Sequence, residues 1–329
     1  EAMLCSSEVA RSHTIRIYNI DDTFIQSEEF NSPVDTIRAC KEIFTKLGFL
    51  IQPDKSINIP SKFTKVLGFM IDSVSMTVSL APDKKLKIQK LCRETVDSNQ
   101  VTLRQLARVI DKLVSSFPAV QFGPLHYRIL EVAKTKDLQN SKGNFDSMTT
   151  LSGAMKQELS WWIDKIVSSS CPISYPNPDL SINTDASLLG WGAVCNNSKA
   201  QGKFLPQEIQ NNGGNINALE LLAIKYGLQY FKNLIQGKYI LVKCDNTTAV
   251  SYIRNMGGTH SYICNEIAKD IWFWCKSKNV WLSITYVPGK SNTSVDFQSR
   301  NFSNDHIECM GTSPKCIQIN YRHPWEPLY

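Results

Sequence analysis

The hydrophobic and polar positions change period several times along the chain. Residues 15 to 26, IRIYNIDDTFIQ, alternate apolar and polar on both sides of Asp21 and Asp22. Period-two runs that meet at a polar turn predict a β-hairpin, here with paired carboxylates at its tip. In SPVDTIRACKEIFTKLGF, residues Ile37, Cys40, Lys41, Phe44 and Leu47 form a helical stripe that Gly48 stops. KFTKVLGFMIDSVSMTVSL returns to the strand pattern, with two short strands predicted around a turn near Asp72 and Ser73.

Residues 82 to 168 read as three helices. The first is basic, carrying Lys84, Lys85, Lys87, Lys90 and Arg93, a pattern that fits a solvated face or a polyanion contact. The second, TLRQLARVIDKLVSS, puts Leu103, Leu106, Ala107, Ile110, Leu113 and Val114 on one side, and Thr102 with Gln105 predicts a capping box at its start. The third, GAMKQELSWWIDKIV, groups Met155, Leu159, Trp162, Ile163 and Ile166. A Ser- and Pro-rich stretch, SSSCPISYPNPDL, then predicts a linker over residues 169–180.

A different pattern follows the linker. SINTDASLLGWGAVC predicts strand, turn, strand, and a third strand is expected near Lys203 to Leu205. INALELLAIKYGLQYF predicts a helix, KYILVKCD a buried strand, TTAVSYIRNM a helix closed by Gly257 and Gly258, and YICNEIAKDIWFWCKSK another helix. VWLSITYV predicts a strand broken by Pro288 and Gly289, and a short helix around Asp296 closes the set. The order β-β-β-α-β-α-α-β-α predicts an α/β domain.

Composition narrows this picture only slightly. Of 329 residues, 42% are hydrophobic and 20% charged, which fits folded domains. A net charge of +6 allows a polyanionic partner without requiring one. The ten cysteines form no CxxC pair, which suits free thiols in a reducing compartment, so an intracellular location, cytoplasmic or nuclear, is expected. His306, Cys309, Cys316 and His323 match no common zinc spacing. No apolar run approaches about 18 residues, so no membrane span is expected.

Four acids in the second region carry the candidate chemistry. Asp185 ends the first strand beside the small residues Ala186 and Ser187. Glu220 lies on the apolar side of its helix, with Ile216, Ala223, Ile224 and Gly227 as surface neighbours. Asp245 ends KYILVKCD and Asp296 opens the last helix. Each has a structural alternative: Asn217 and Glu220 could form a capping box, Asp245 and Asp296 could be helix N-caps, and Asp185 could serve a turn. Together, four acids from four elements could meet at one sheet edge. They would repel one another unless cations sat among them, and two Mg²⁺ about 4 Å apart would serve phosphoryl transfer.

TDASLLGWGAV, ALELLAI, CDNTTAVSYI and VPGKSNTSVDFQSR resemble the four motifs of the ribonuclease H domain of retroelement polyproteins, most closely the DIRS-type branch. Upstream, IDDTFIQ, KLGFLIQPDKS and KVLGFMIDSVSMTVSLAPDKK are similar to the last motifs of that branch's reverse transcriptase palm. LRQLARVIDKLVSSFPAVQFGPLHYR and LSWWID resemble its thumb and connection. The resemblance runs over residues 12 to 303. It implies a partial palm over 1–81, a helical thumb and connection over 82–168, and a ribonuclease H-like domain over 181–303 with a mixed five-stranded sheet and flanking helices. A tail, 304–329, is expected to be disordered.

The resemblance further implies that Asp185, Glu220, Asp245 and Asp296 hold two Mg²⁺, or Mn²⁺, with Asp185 bridging them. The substrate would be the RNA strand of an RNA–DNA hybrid, contacted by Ser187, Asn246, Lys290 and Asn292, and the remainder of the polyprotein would be a partner. Two departures stand out. The loop Pro288 to Asn292 lacks the histidine that many relatives carry. The polymerase motif Tyr-x-Asp-Asp reads here Tyr18-Asn19-Ile20-Asp21-Asp22, and the family's other metal-binding Asp falls before residue 1. Asp21 and Asp22 are therefore expected to be a vestigial polymerase metal site without activity. Two rival readings remain at this level: a non-catalytic remnant that binds nucleic acid, and a DDE-type transposase or integrase core. The palm-like and thumb-like segments argue against the second.

Overall fold

The computed structural model describes residues 15–19, 22–26, 31–53, 56–289 and 293–300. The chain divides into two compact units, Glu1–Tyr175 and Pro176–Tyr329, with the division inside the expected linker.

In the first unit, β1 (Ile15–Asn19) and β2 (Asp22–Gln26) pair antiparallel with Asn19 opposite Asp22. This hairpin forms a two-stranded sheet of its own, and α1 (Asn31–Lys46) follows it. Then come β3 (Phe63–Val66), β4 (Phe69–Asp72), β5 (Thr77–Leu80), α2 (Pro82–Asp97), β6 (Gln100–Thr102), α3 (Leu103–Val114), α4 (Arg128–Asn140), β7 (Met148–Thr150), α5 (Gly153–Lys165) and β8 (Ser170–Pro172).

Three differences from the sequence reading have local causes. The stretch read as two strands holds three, because Leu67 and Gly68 make a second turn at positive φ. The expected turn also forms, with Asp72 Oδ1 accepting from Val74 N and Ser75 N. Helix α4 went unseen because its apolar positions are sparse, and only Leu130 among them is buried. The first part of the expected linker is β8, which pairs with β5 and completes the antiparallel sheet β3-β4-β5-β8. The Thr102 and Gln105 capping box forms in both directions. Helices α2, α3 and α5 close a core around Trp162, whose indole N–H donates to His126 O at 2.7 Å. Of the basic residues on α2, Lys84 lies over the Phe69 ring, Lys85 donates to Val167 O and Lys90 pairs with Glu94, while Lys87 and Arg93 are exposed.

The second unit runs β9 (Leu180–Ala186), β10 (Gly190–Cys195), β11 (Ser198–Lys203), α6 (Pro206–Asn211), α7 (Ile216–Tyr230), α8 (Lys232–Ile235), β12 (Tyr239–Cys244), α9 (Thr247–Arg254), α10 (Tyr262–Ser277), β13 (Trp281–Tyr286) and α11 (Thr293–Arg300). Its strands form one mixed sheet in the order β11-β10-β9-β12-β13. The first three make an antiparallel meander, and β12 lies parallel to both β9 and β13. The third strand ends at Lys203, earlier than the sequence reading placed it. Every residue of α7 from Ala218 to Leu228 is buried, because the sheet covers one side and α9 and α10 cover another. Gly227 makes this close seating possible: a Cβ there would stand 2.8 Å from the Ala193 Cβ. Glu220, two turns earlier, is thereby carried against the sheet.

Candidate metal centre

The register between parallel neighbours determines where the acids meet. Lys243 of β12 is paired with Asn183 of β9, so Asp245 and Asp185, two residues further on, lie level at the carboxyl ends of adjacent strands. That end of an α/β sheet is where ligands generally bind. Asp185 is 4% exposed and Glu220 is 4% exposed, whereas Asp245 is half-buried.

The structural alternatives for two of these acids fail. Asn215, not Asn217, is the N-cap of α7 and accepts from Asn217 N at 3.0 Å. Glu220 therefore lies beyond the first turn, too deep for a capping box. Asn246, not Asp245, caps α9, its Oδ1 accepting from Ala249 N at 2.8 Å. Asp296 sits at the fourth position of α11, inside the helix and not at its cap, and its side chain lies outside the described residues. Helix α11 packs on β10 and β9.

Glu220 is the electrostatic centre of the group. Burial, then the charges of Asp185 and Asp245, push its carboxyl up to about 9, against hydrogen bonds from Ala186 N–H and the Cys244 thiol. Donor atoms of Glu220, Cys244 and Asp245 lie within 4.8 Å of one another. Burial and the neighbouring Glu220 also raise the Cys244 thiol, so it stays protonated and acts as a donor to Glu220 Oε2, at 3.8 Å. The set available to a cation is therefore carboxylate oxygen, which suits hard ions such as Mg²⁺ or Mn²⁺. A cation among these acids would offset the burial and the charge repulsion that together hold Glu220 protonated. Gly289 closes in from the loop after β13, where a Cβ would stand 3.0 Å from Asp245 Oδ2.

The remaining predicted residues divide. Ser187, 9% exposed, spends its hydroxyl within the protein: Oγ donates to Ser299 O at 2.6 Å and accepts from Leu189 N and Gly190 N. The Asn246 side chain, besides its capping bond, donates from Nδ2 to Asn217 Oδ1 at 2.9 Å. Lys290, Asn292, Asp21 and the tail residues His306, Cys309, Cys316 and His323 lie outside the described residues, as does the side chain of Asp22. Two contributors escaped the sequence reading. Cys244 carries only the signal of immediate adjacency to Asp245. Ser299, fully buried, donates from Oγ to Asp185 Oδ2 at 2.6 Å, and its one visible clue is its place one turn after Asp296.

Residues 175–263 match the family model of the RNase H-like domain found in reverse transcriptase, a span containing Asp185, Glu220 and Asp245. With the mixed sheet described above, the second unit has a ribonuclease H-like fold. Among solved structures, the dRH form of the foamy viral protease-reverse transcriptase in complex with double-stranded DNA is 13% identical at a TM-score of 0.42, over 82% of this chain and 46% of that one. The same viral protein in complex with an RNA/DNA hybrid is 12% identical at a TM-score of 0.42, over 82% and 35%. RNase H1 from the halophilic archaeon Halobacterium salinarum NRC-1 is 16% identical at a TM-score of 0.28, over 36% of this chain and 92% of that one. The chain thus spans less than half of the length of either viral structure. No curated protein matches the chain.

Proposed function

We propose that the second unit is a divalent-cation-dependent nuclease that hydrolyses the RNA strand of RNA–DNA hybrids, and that the chain derives from a retroelement polyprotein of the DIRS type. The observation that carries this reading is the burial of Glu220 against Asp185 and Asp245, an arrangement of like charges that a cation would relieve. The match of residues 175–263 to the RNase H-like domain found in reverse transcriptase supports the choice of a phosphodiester substrate.

Asp185, Glu220, Asp245 and Asp296 would hold two Mg²⁺, with Mn²⁺ able to replace them. When bound, the ions supply Lewis acidity and charge neutralisation for in-line attack of water on the phosphodiester, leaving a 3′ hydroxyl and a 5′ phosphate. The protein's own part is positional. Ala186 N–H and the Cys244 thiol orient Glu220, and Asn246 fixes the start of α9 beside Asp245. Lys290 and Asn292 would meet the hybrid, whose RNA strand is told from DNA by its 2′ hydroxyls. Ser187 and Asn246 would serve it through the site's framework. The hairpin acids Asp21 and Asp22 would be a vestige, with no polymerase activity from this chain. The protein would work inside the cell, in cytoplasm or nucleus, with the rest of its polyprotein.

The test is cleavage of a labelled RNA–DNA hybrid by the full chain with Mg²⁺, beside Asp245→Asn. Loss of cleavage in the variant and on chelation is expected. Equal cleavage by both proteins, or hybrid binding by the wild type with no metal-dependent cleavage, would refute the nuclease reading.

A further inference from the structure

Ser299 is not among the acids, yet its side chain bonds directly to Asp185. Its hydroxyl is fully buried and donates to Asp185 Oδ2 at 2.6 Å, within the short range of a charge-assisted O–H···O⁻ bond. A helical serine commonly turns its hydroxyl back to the carbonyl one turn earlier. Here it reaches out of α11 to a strand 114 residues away in sequence. The main chain of the same residue is held as well. Ser187, two residues after Asp185, donates from Oγ to Ser299 O at 2.6 Å. Ser187 is in turn fixed to the β9–β10 turn, where its N–H donates to Gly190 O and its Oγ accepts from Leu189 N and Gly190 N. The end of β9 therefore grips one residue of α11 at two points, the hydroxyl and the carbonyl.

Two consequences follow for the carboxylate. A bond from a separate rigid element sets the torsion of the Asp185 side chain, where a solvated aspartate would rotate. It also sets the register of α11 on the sheet, one turn from Asp296. Ordering of this kind by a partner behind the ligand is worth about 10- to 100-fold in metal affinity where it has been removed.

We propose that Ser299 is a positioning residue for the divalent cations, orienting Asp185 through its hydroxyl, with the Ser187 bond locking α11 in the matching register. The proposal rests on the cation-dependent nuclease reading above and adds to it a residue that touches neither substrate nor metal.

The experiment compares wild type, Ser299→Ala, Ser299→Thr and Asp245→Asn as full chains. Mn²⁺ binding is measured by calorimetric titration, thermal melting is followed without metal, and hybrid cleavage is measured against Mg²⁺ concentration. Ser299→Ala is expected to bind Mn²⁺ about 10- to 100-fold more weakly. Its Mg²⁺ midpoint should rise in parallel, while the KM for hybrid at saturating Mg²⁺ stays near wild type. Ser299→Thr, which keeps the hydroxyl, is expected to recover most of the Mn²⁺ affinity. If the added methyl prevents folding, Ser299→Cys, nearly isosteric with a weaker donor, is expected to fall between wild type and Ser299→Ala. A Ser299→Ala protein that melts lower but keeps wild-type Mn²⁺ affinity and Mg²⁺ midpoint overturns the proposal, since the hydroxyl would then only pack. A wild type that neither binds Mn²⁺ nor cleaves hybrid refutes the nuclease reading itself, and the proposal falls with it.

Discussion

Each unit of this protein buries a glutamate on a helix, and the two are treated in opposite ways. Glu158, 5% exposed on α5, accepts from Ile129 N at 3.3 Å and Leu130 N at 3.2 Å, at the start of α4. Its charge is answered by the positive end of a helix within the same unit. Glu220, 4% exposed on α7, faces Asp185 and Asp245 and is pushed up to about 9. The first is a structural acid whose partner is the polypeptide. Among the described residues, the second meets two like charges and only the Ala186 N–H and the Cys244 thiol as donors, and an external cation would supply positive charge. Burial of an acid therefore says little about function until its neighbours are known.

The sharpest way to break this contrast is Glu220→Gln. It should lower Mg²⁺-dependent hybrid cleavage by at least about 100-fold. Glu158→Ala should leave the Mg²⁺ midpoint of the folded protein unmoved. Parallel cleavage assays decide it, and retained cleavage in Glu220→Gln would end the comparison.

Next in size is the stability of the metal-free protein. Below about 4.5, Glu220 is protonated in both folded and unfolded chains and costs nothing. Between 4.5 and about 9 the unfolded chain releases that proton while the folded one keeps it, so stability falls as pH rises and levels off above about 9. Melting curves across that window should show a downward slope that Glu220→Gln flattens. Saturating Mg²⁺ should offset the fall, by about 2.7 kcal/mol when the ion is at 100 times its dissociation constant.

Glu158→Ala tests the other half. It strands the buried Leu130 N–H and the half-buried Ile129 N–H and should cost about 2 kcal/mol, read as a lower melting temperature that Mg²⁺ does not rescue selectively. The smallest effect belongs to Gly289→Ala, whose methyl would press on Asp245 Oδ2 from 3.0 Å. A few-fold rise in the Mg²⁺ midpoint with little change in melting is expected, in keeping with about 1 kcal/mol of displacement at one ligand.

Much of the second unit was legible from pattern alone. Its strands and longer helices follow one another in the expected order, because alternation and helical stripes there are long and are bounded by Gly, Asn and Pro, while the short helices α6 and α8 are additional to that order. Glu220 stood out because an acid among Ile216, Ala223, Ile224 and Gly227 contradicts its own helix face. The first unit was harder to read. Its strands are short, α4 buries a single apolar residue of its own, and the positive-φ turn at Leu67 and Gly68 splits a run that reads as one strand. The capping alternatives for Glu220 and Asp245 could not be rejected from sequence, since a cap one or two residues away looks the same in a string. Asn215 and Asn246 take those roles in space.

The sequence by itself determined which residues carry charge into apolar surroundings, and the local spacing that puts Asp185 and Asp245 at strand ends. Hydrophobic periodicity and short-range sterics suffice for that. Only the tertiary structure decided what those charges meet. The parallel pairing of β12 with β9 sets two acids level, and the close seating of α7 at Gly227 brings Glu220 beneath them. The grip of β9 on Ser299 ties α11 to the same end of the sheet. These are contacts between residues dozens to more than a hundred positions apart. The folded chain alone brings them within hydrogen-bonding or electrostatic range, and the energy of a buried charge depends on that range.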